Sequence, residues 1–337
     1  MRGRTLHGLV ALAASLTFLA CQDPLPIPRI DNTLEGWPQP YQGVPGIRIH
    51  AFRTGAVKSV EGAAYGGGSW TTPVEMGAWA FVIEHPTAGL VVFDTGMPQE
   101  ARTDPERYVG WLGAKLGMLD VPEGAGLAEQ MRAAGLDPGD VKWVVISHVH
   151  FDHTGGIRDF PNATVVVSEA EKEWILGGLG RFDFVDKQAL AGLSQWKTID
   201  YTADKPVATM LAAHDLLGDG SLLTVDLAGH TPGSEGMIVR AAEAPVLLTG
   251  DAAWTDKSWR WPARPIMAKD MALWWEQAWR IHKFALLEPR LVVVPAHDDL
   301  AVAGIALSSF VAHDAPGSEP AAAAKKPAAP APAPAAG

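Results

Sequence analysis

The chain of 337 residues contains one cysteine, Cys21, four tyrosines and an acidic excess. A single thiol excludes an internal disulfide, and it excludes a thiolate cluster for a metal or an iron–sulfur centre. Any metal must therefore be held by nitrogen and oxygen. Basic residues are scarce: 27 Lys and Arg stand against 38 Asp and Glu, for a formal net charge of -11. A phosphate backbone demands the opposite balance, so nucleic acid is excluded as a partner. Apolar residues, at 47%, are plentiful enough for a sizeable core, and the length suits one large domain or two small ones.

Long apolar runs are absent except at the start, MRGRTLHGLVALAASLTFLACQD. Arg2 and Arg4 precede an apolar stretch from Leu9 to Leu19, shorter than the about 20 residues a membrane-spanning helix needs. The segment resembles a bacterial lipoprotein signal. That resemblance implies cleavage after residue 20, a lipid on Cys21 and a membrane-tethered, exported protein. Gln22 after the cysteine implies the periplasmic side of the outer membrane, or the cell surface, as the destination. Plain secretion and an uncleaved anchor are the alternatives, and in each the chain leaves the cytoplasm.

Residues 21–45 are proline-rich and aperiodic, which predicts a tether. Residues 315–337 are alanine and proline with almost no large apolar side chain, which predicts a disordered tail. The folded domain is expected at 46–314. Within it, short apolar runs such as AWAFVIEH (78–85), KWVVISH (142–148), ATVVVSE (163–169) and PVLLTGD (245–251) read as strands. Amphipathic stretches at 124–136, 169–178 and 270–287 read as helices, the last with Asp270 as N-cap. The mixed order predicts a layered α/β sandwich.

Histidines crowd one place. SHVHFDHTGG (147–156) puts His148, His150, Asp152 and His153 within six residues, directly after the apolar run WVVI. On an extended stretch His148 and His150 point the same way, and the turn that follows brings Asp152 and His153 round to the same cavity. Imidazoles with a nearby carboxylate suit a borderline divalent cation, and burying such a cluster without one is costly. His50, His85, His214, His282 and His313 lie outside any motif and read as packed or surface residues.

The pattern H-x-H-x-D-H at a strand end resembles the metallo-β-lactamase superfamily. DTG at 94–96, GHTPGS around His230, LLTGDAAW around Asp251 and VVPAHD around His297 follow in that family's order. The resemblance implies an αββα four-layer sandwich with two divalent metal ions, zinc by default. It assigns one ion to His148, His150 and His230 and the other to Asp152, His153 and His297, with Asp251 bridging. It also implies that Asp94 orients a ligating imidazole. Two cations about 3.5–4 Å apart can share one hydroxide and lower its pKa.

True β-lactamases of the superfamily use a cysteine ligand or lack the bridging aspartate, so β-lactam hydrolysis is not expected. The motifs are most similar to the N-acyl homoserine lactonase branch, which implies hydrolysis of a lactone or related ester, with Asp152, Asp251 and the residue at 254 in the catalytic set. That branch carries a tyrosine three residues after the bridging aspartate, and here Trp254 stands there. An indole donates one hydrogen bond but does not transfer a proton as a phenol does. Weak turnover of acyl homoserine lactones is therefore expected. A thioesterase or phosphodiesterase on the same centre is the alternative enzyme. A non-catalytic surface lipoprotein is the alternative of another class. Tryptophans gather between Asp251 and His297, either as packing or as an aromatic wall for substrate. The oligomeric state is not legible in the sequence.

Overall fold

A computed structural model describes residues 24–178, 183–191, 196–314 and 316. The expected leader, Cys21 and, apart from Pro316, the expected tail lie outside the described residues. The described strands are β1 (Arg48–Val60), β2 (Pro73–His85), β3 (Gly89–Phe93), β4 (Leu119–Asp120), β5 (Val141–Val145), β6 (Thr164–Ser168) and β7 (Trp196–Ile199). After them come β8 (Lys205–Val207), β9 (Met210–Asp215), β10 (Leu222–Asp226), β11 (Glu235–Arg240), β12 (Pro245–Leu248), β13 (Val292–Val294) and β14 (Phe310–His313).

They form two mixed sheets. The first runs β14-β1-β2-β3-β5-β6-β7, with β4 paired to β1, and the second runs β13-β12-β11-β10-β9-β8. Alternation along the strands divides their side chains between two cores. Phe81, Phe93 and Val145 of the first sheet meet Met237, Val246 and Leu248 of the second between the layers. Val82, Val92 and Val144 face outward and are covered by Leu127 and Met131 of helix α1 (Leu127–Ala133). On the other side Val225, Ile238 and Leu247 are covered by Ile281 and Phe284 of helix α3 (Met271–Leu287). The result is the expected four-layer αββα sandwich. It explains why the end of β5 is apolar on both faces, since Val144 and Val145 point to opposite cores and both are buried. Between α1 and α3 in sequence lies helix α2 (Glu169–Leu176).

Helix α3 begins where the sequence places it, the Asp270 side chain accepting a hydrogen bond from Leu273 N at 2.9 Å. The stretch read as a tether is different in fact. From Leu34 onward it is docked on the second sheet and α3, and the domain starts about a dozen residues early. Trp37 packs edge-on against Phe284 at 5.1 Å, and the Tyr41 hydroxyl donates to Ala241 O at 2.6 Å. Isolated bridges tie Glu35 to Ala208 and Val44 to Ala241. Prolines rule out helix and regular pairing here, but they leave two large aromatic side chains free to bury.

The parallel strands β3 and β5 of one sheet, and β12 and β13 of the other, are followed by loops at a single edge. The turn from β10 to β11 reaches the same edge, because β11 runs antiparallel to β12. Ligands in open α/β sheets bind at such carboxyl ends.

Candidate metal centre

All seven side chains expected as ligands arrive at this edge. His148 and His150 follow β5, and Asp152 and His153 lie in the single helical turn Phe151–Thr154. His230 lies in the turn between β10 and β11, Asp251 in the turn Gly250–Ala252 after β12, and His297 after β13. Two groups of donor atoms close enough for one cation each emerge: His148, His150, His230 and Asp251, and then Asp152, His153 and His297.

Asp251 stands between the groups. Its Oδ2 lies 3.1 Å from His230 Nε2 and 3.7 Å from His148 Nε2. Its Oδ1 lies 3.0 Å from His297 Nε2 and 3.2 Å from His153 Nε2. One carboxylate thus turns one oxygen to each group. Asp152 is the most open member, with its side chain 12% exposed, and it stands 3.9 Å from His153 Nε2 and 3.8 Å from His297 Nε2.

The electrostatics fit cation binding. Burial alone would push the Asp251 carboxyl up, but His297, His153, His230 and His148 around it hold it well below the usual range. Burial holds His148 and His150 well below the ordinary imidazole range, so both are neutral and carry a lone pair. Burial also opposes charge on His153 and His297. There Asp251 outweighs it, with help from Asp94 and Asp152 at His153 and from Asp152 at His297, and both are raised. Among the described residues the buried atoms His153 Nε2 and Asp251 Oδ1 have no hydrogen-bond partner, and a cation with nitrogen and oxygen preference matches both.

Surrounding groups fix the rings. His153 Nδ1 lies 2.8 Å from Asp94 Oδ2, and His297 Nδ1 lies 2.8 Å from Gly77 O. With a proton on each Nδ1, the Nε2 lone pair faces the centre. Asp94 is itself held by Ser147 N at 2.7 Å and Ser147 Oγ at 2.7 Å. Its backbone is left-handed, with φ of 58°, a conformation Asp tolerates better than most residues.

Sequence reasoning overlooks Glu171 on α2. It is fully buried, and burial pushes its pKa up to about 7. Oε1 accepts from Val149 N at 3.0 Å, while Oε2 accepts from Thr231 Oγ1 at 2.8 Å and Gly233 N at 3.0 Å. It therefore ties the loop carrying His148 and His150 to the loop carrying His230. Its only sequence signal is a carboxylate on the inward side of an amphipathic helix.

Trp254 is buried beside the centre, its ring edge-on to His230 at 5.7 Å and to His297 at 6.3 Å. Its Nε1–H donates to Asp251 Oδ2 at 2.8 Å. Its one donor is spent on a ligand carboxylate, which places Trp254 as a support for Asp251. The wall beside His150 is aromatic, with Trp174 and Phe184 each 6.3 Å away, and Lys269 Nζ lies 5.1 Å over Trp174. Of the tryptophans between Asp251 and His297, Trp259 and Trp274 are buried packing residues, while Trp261 is exposed.

Residues 74–299 match the model of the metallo-beta-lactamase superfamily. The chain is 36% identical over 236 residues to the N-acyl homoserine lactonase AttM of Rhizobium radiobacter, covering 65% of this chain and 81% of that protein. It is 26% identical to a Bacillus thuringiensis N-acyl homoserine lactonase over 53% of this chain and 65% of that one. Among solved structures, an N-acyl homoserine lactone hydrolase with N-hexanoyl-L-homoserine at its catalytic metal center superposes with a TM-score of 0.62 at 20% identity. That match covers 74% of this chain and 93% of the other. The dizinc quorum-quenching lactonase AidC superposes with a TM-score of 0.55 at 14% identity over 77% of this chain and 90% of its own. Ligand edge, layer order and sequence agree: the chain belongs to the metallo-β-lactamase superfamily, as a dinuclear metal-dependent hydrolase of its N-acyl homoserine lactonase-like branch.

Proposed function

We propose that this protein is an exported lactonase or esterase that opens acyl lactones or related esters, with zinc as its native metal. The observation that carries the reading is the shared Asp251 carboxylate, one oxygen on each of two buried donor groups. When bound, two such cations supply a water of lowered pKa and polarise the carbonyl under attack. The chain's own residues hold that chemistry in place. Asp94 and Gly77 O fix two imidazoles, Glu171 fixes two ligand loops, and Trp254 steadies Asp251. His148, His150, Asp152, His153, His230, Asp251 and His297 are the proposed ligands. Trp174 and Phe184 offer an apolar flank suited to an acyl group.

The commitment of the Trp254 N–H to Asp251 leaves that position without a donor for the substrate carbonyl. This favours esters and thioesters with good leaving groups over unactivated lactones, and it keeps a thioesterase as the second reading. Export and attachment through a lipid on Cys21 rest on the leader sequence alone.

The test is metal analysis with a hydrolysis panel of acyl homoserine lactones, aryl esters, thioesters and phosphodiesters. The expected outcome is close to two cations per chain and turnover of aryl esters above that of lactones, with Asp251→Asn losing metal and all turnover together. One cation per chain in metal-replete conditions, or cleavage confined to phosphodiesters, would overturn the reading.

A further inference from the structure

Outside the metal centre, the tip of the β1–β2 hairpin and the segment 261–266 enclose a groove of about 600 Å³. Three indoles line it, Trp70, Trp261 and Trp275, together with Pro262, Pro265 and Ile266. Trp261 is 78% exposed and Trp70 42%. Exposed apolar groups that gather in this way mark a contact surface more often than scattered ones do.

The N-terminal chain leaves the domain at this place. Trp275 Nε1 donates to Pro26 O at 2.9 Å, and the neighbouring Ile27 is 65% exposed. Cys21 stands five residues before Pro26 in the sequence, a separation that extended chain spans in at most about 18 Å. The segment 261–266 adjoins the metal centre, because Ile266 packs in one cluster with Trp254 and Lys269, three residues further on, donates from its backbone N to His230 O at 3.0 Å.

We propose that this aromatic face is a membrane-contact surface, which seats Trp70, Trp261 and Ile27 in the headgroup region of a bilayer beside the point where the chain's N-terminus emerges. Indoles favour that region, since the ring is apolar and its N–H is satisfied by water or headgroups. Charge contributes little to the contact. The molecule carries a formal net charge of -11. The nearby cations already have partners: Lys257 on the Tyr65 hydroxyl, Arg260 on Asp256, and Arg264 of the groove lining, which is engaged as well. The contact is therefore aromatic in nature and only weakly salt-dependent. It brings the loop that carries His230 close to the lipid phase, which suits amphiphilic substrates. The proposal rests on the preceding reading for export and for the lipid on Cys21, and it goes beyond its chemistry.

The experiment uses the full chain purified from the membranes of an expressing bacterium and placed in vesicles of phosphatidylethanolamine and phosphatidylglycerol with brominated acyl chains. Quenching of tryptophan fluorescence and backbone hydrogen exchange are read for the parent and for Trp70→Phe/Trp261→Phe, with Cys21→Ser in solution as the exchange reference. The expected result is slower exchange at 62–70 and 261–266 on vesicles, by roughly tenfold, with quenching in the parent that the double variant largely loses. Quenching that survives 0.5 M salt (about a threefold shorter screening length than at 0.05 M) supports the aromatic contact, and quenching that salt abolishes overturns it. If the mass of the peptide containing Cys21 shows the lipid but neither quenching nor protection appears, the surface is refuted and the anchor stands. If Cys21 is unmodified and vesicles still quench and protect, the surface stands and the anchor fails. Protection confined to another exposed patch, Trp111 and Leu112 on the helix Glu106–Lys115 with Leu116 at its C-cap, would also overturn the proposal.

Discussion

Trp254 shows how one side chain can be near a reaction without serving it directly. Its N–H is fixed on Asp251 Oδ2, so replacing it exchanges one role for another. Trp254→Tyr offers a hydroxyl to a substrate carbonyl, and a donor of that kind is worth about 10²–10³ in rate. The variant is expected to raise kcat on acyl lactones while binding metal less tightly, which parallel kinetics and chelator titration would check. No gain on lactones would place the polarising group elsewhere. Glu171 belongs to the same scale. Glu171→Gln keeps an acceptor for Val149 N but sets an amide against Gly233 N–H, leaving a buried donor unpaired at a cost of about 1–3 kcal/mol. The expected result is weaker metal binding in the group containing His148, His150 and His230, read as a lowered stoichiometry under mild chelation. The conserving variant Glu171→Asp should recover little, because the shorter arm cannot reach both loops. The seven proposed ligands were legible in the sequence, since four of them fall within six residues and the other three stand in recognisable short motifs. Glu171 was not legible, because its meaning lies in two loops that touch only after folding.

At the scale of elements, the docked segment from Leu34 to Val44 is the largest departure from expectation. Trp37 is buried against Phe284 and donates from Nε1 to Glu288 Oε2 at 3.2 Å. Trp37→Ala should lower unfolding stability by about 3–5 kcal/mol, the usual cost of truncating a buried aromatic. Denaturant titration would measure it, and a loss below 1 kcal/mol would show that the segment is not part of the cooperative unit. The sequence concealed this docking because aperiodic proline-rich chain carries no strand or helix signal. The same reasoning explains which strands were readable. Runs such as WVVI and VVV are dense in β-branched residues and covered on both faces. β9, with the sequence MLAAHD, is built partly of alanine and pairs with the three-residue β8 at the sheet edge. β14 is short and returns from the far end of the chain to pair with β1, a contact that no local pattern announces.

Across the whole molecule, the centre couples metal to stability. A cation that binds the folded chain and not the unfolded one stabilises by about 4 kcal/mol at a thousand times its dissociation constant. Chelation is therefore expected to lower the melting temperature by several degrees, with calorimetry as the check. An unchanged transition in chelator would mean that the donor groups hold no metal in the folded protein. Each donor group also draws on both sheets. His148 and His150 come from the loop after β5 and join His230 and Asp251 of the second sheet, and Asp152 and His153 join His297. Bound cations would thus rivet two sheets that the chain joins at residues 200–204, where β14 crosses back, and where the segment docked from Leu34 leads into β1. Cutting the connection at 200–204 would leave two polypeptides held by the inter-sheet core, by β14, by the docked segment from Leu34 to Val44 and by the rivets. Reassembly of such fragments would then report metal supply directly, making the fold a two-part sensor whose closing signal is the ion itself.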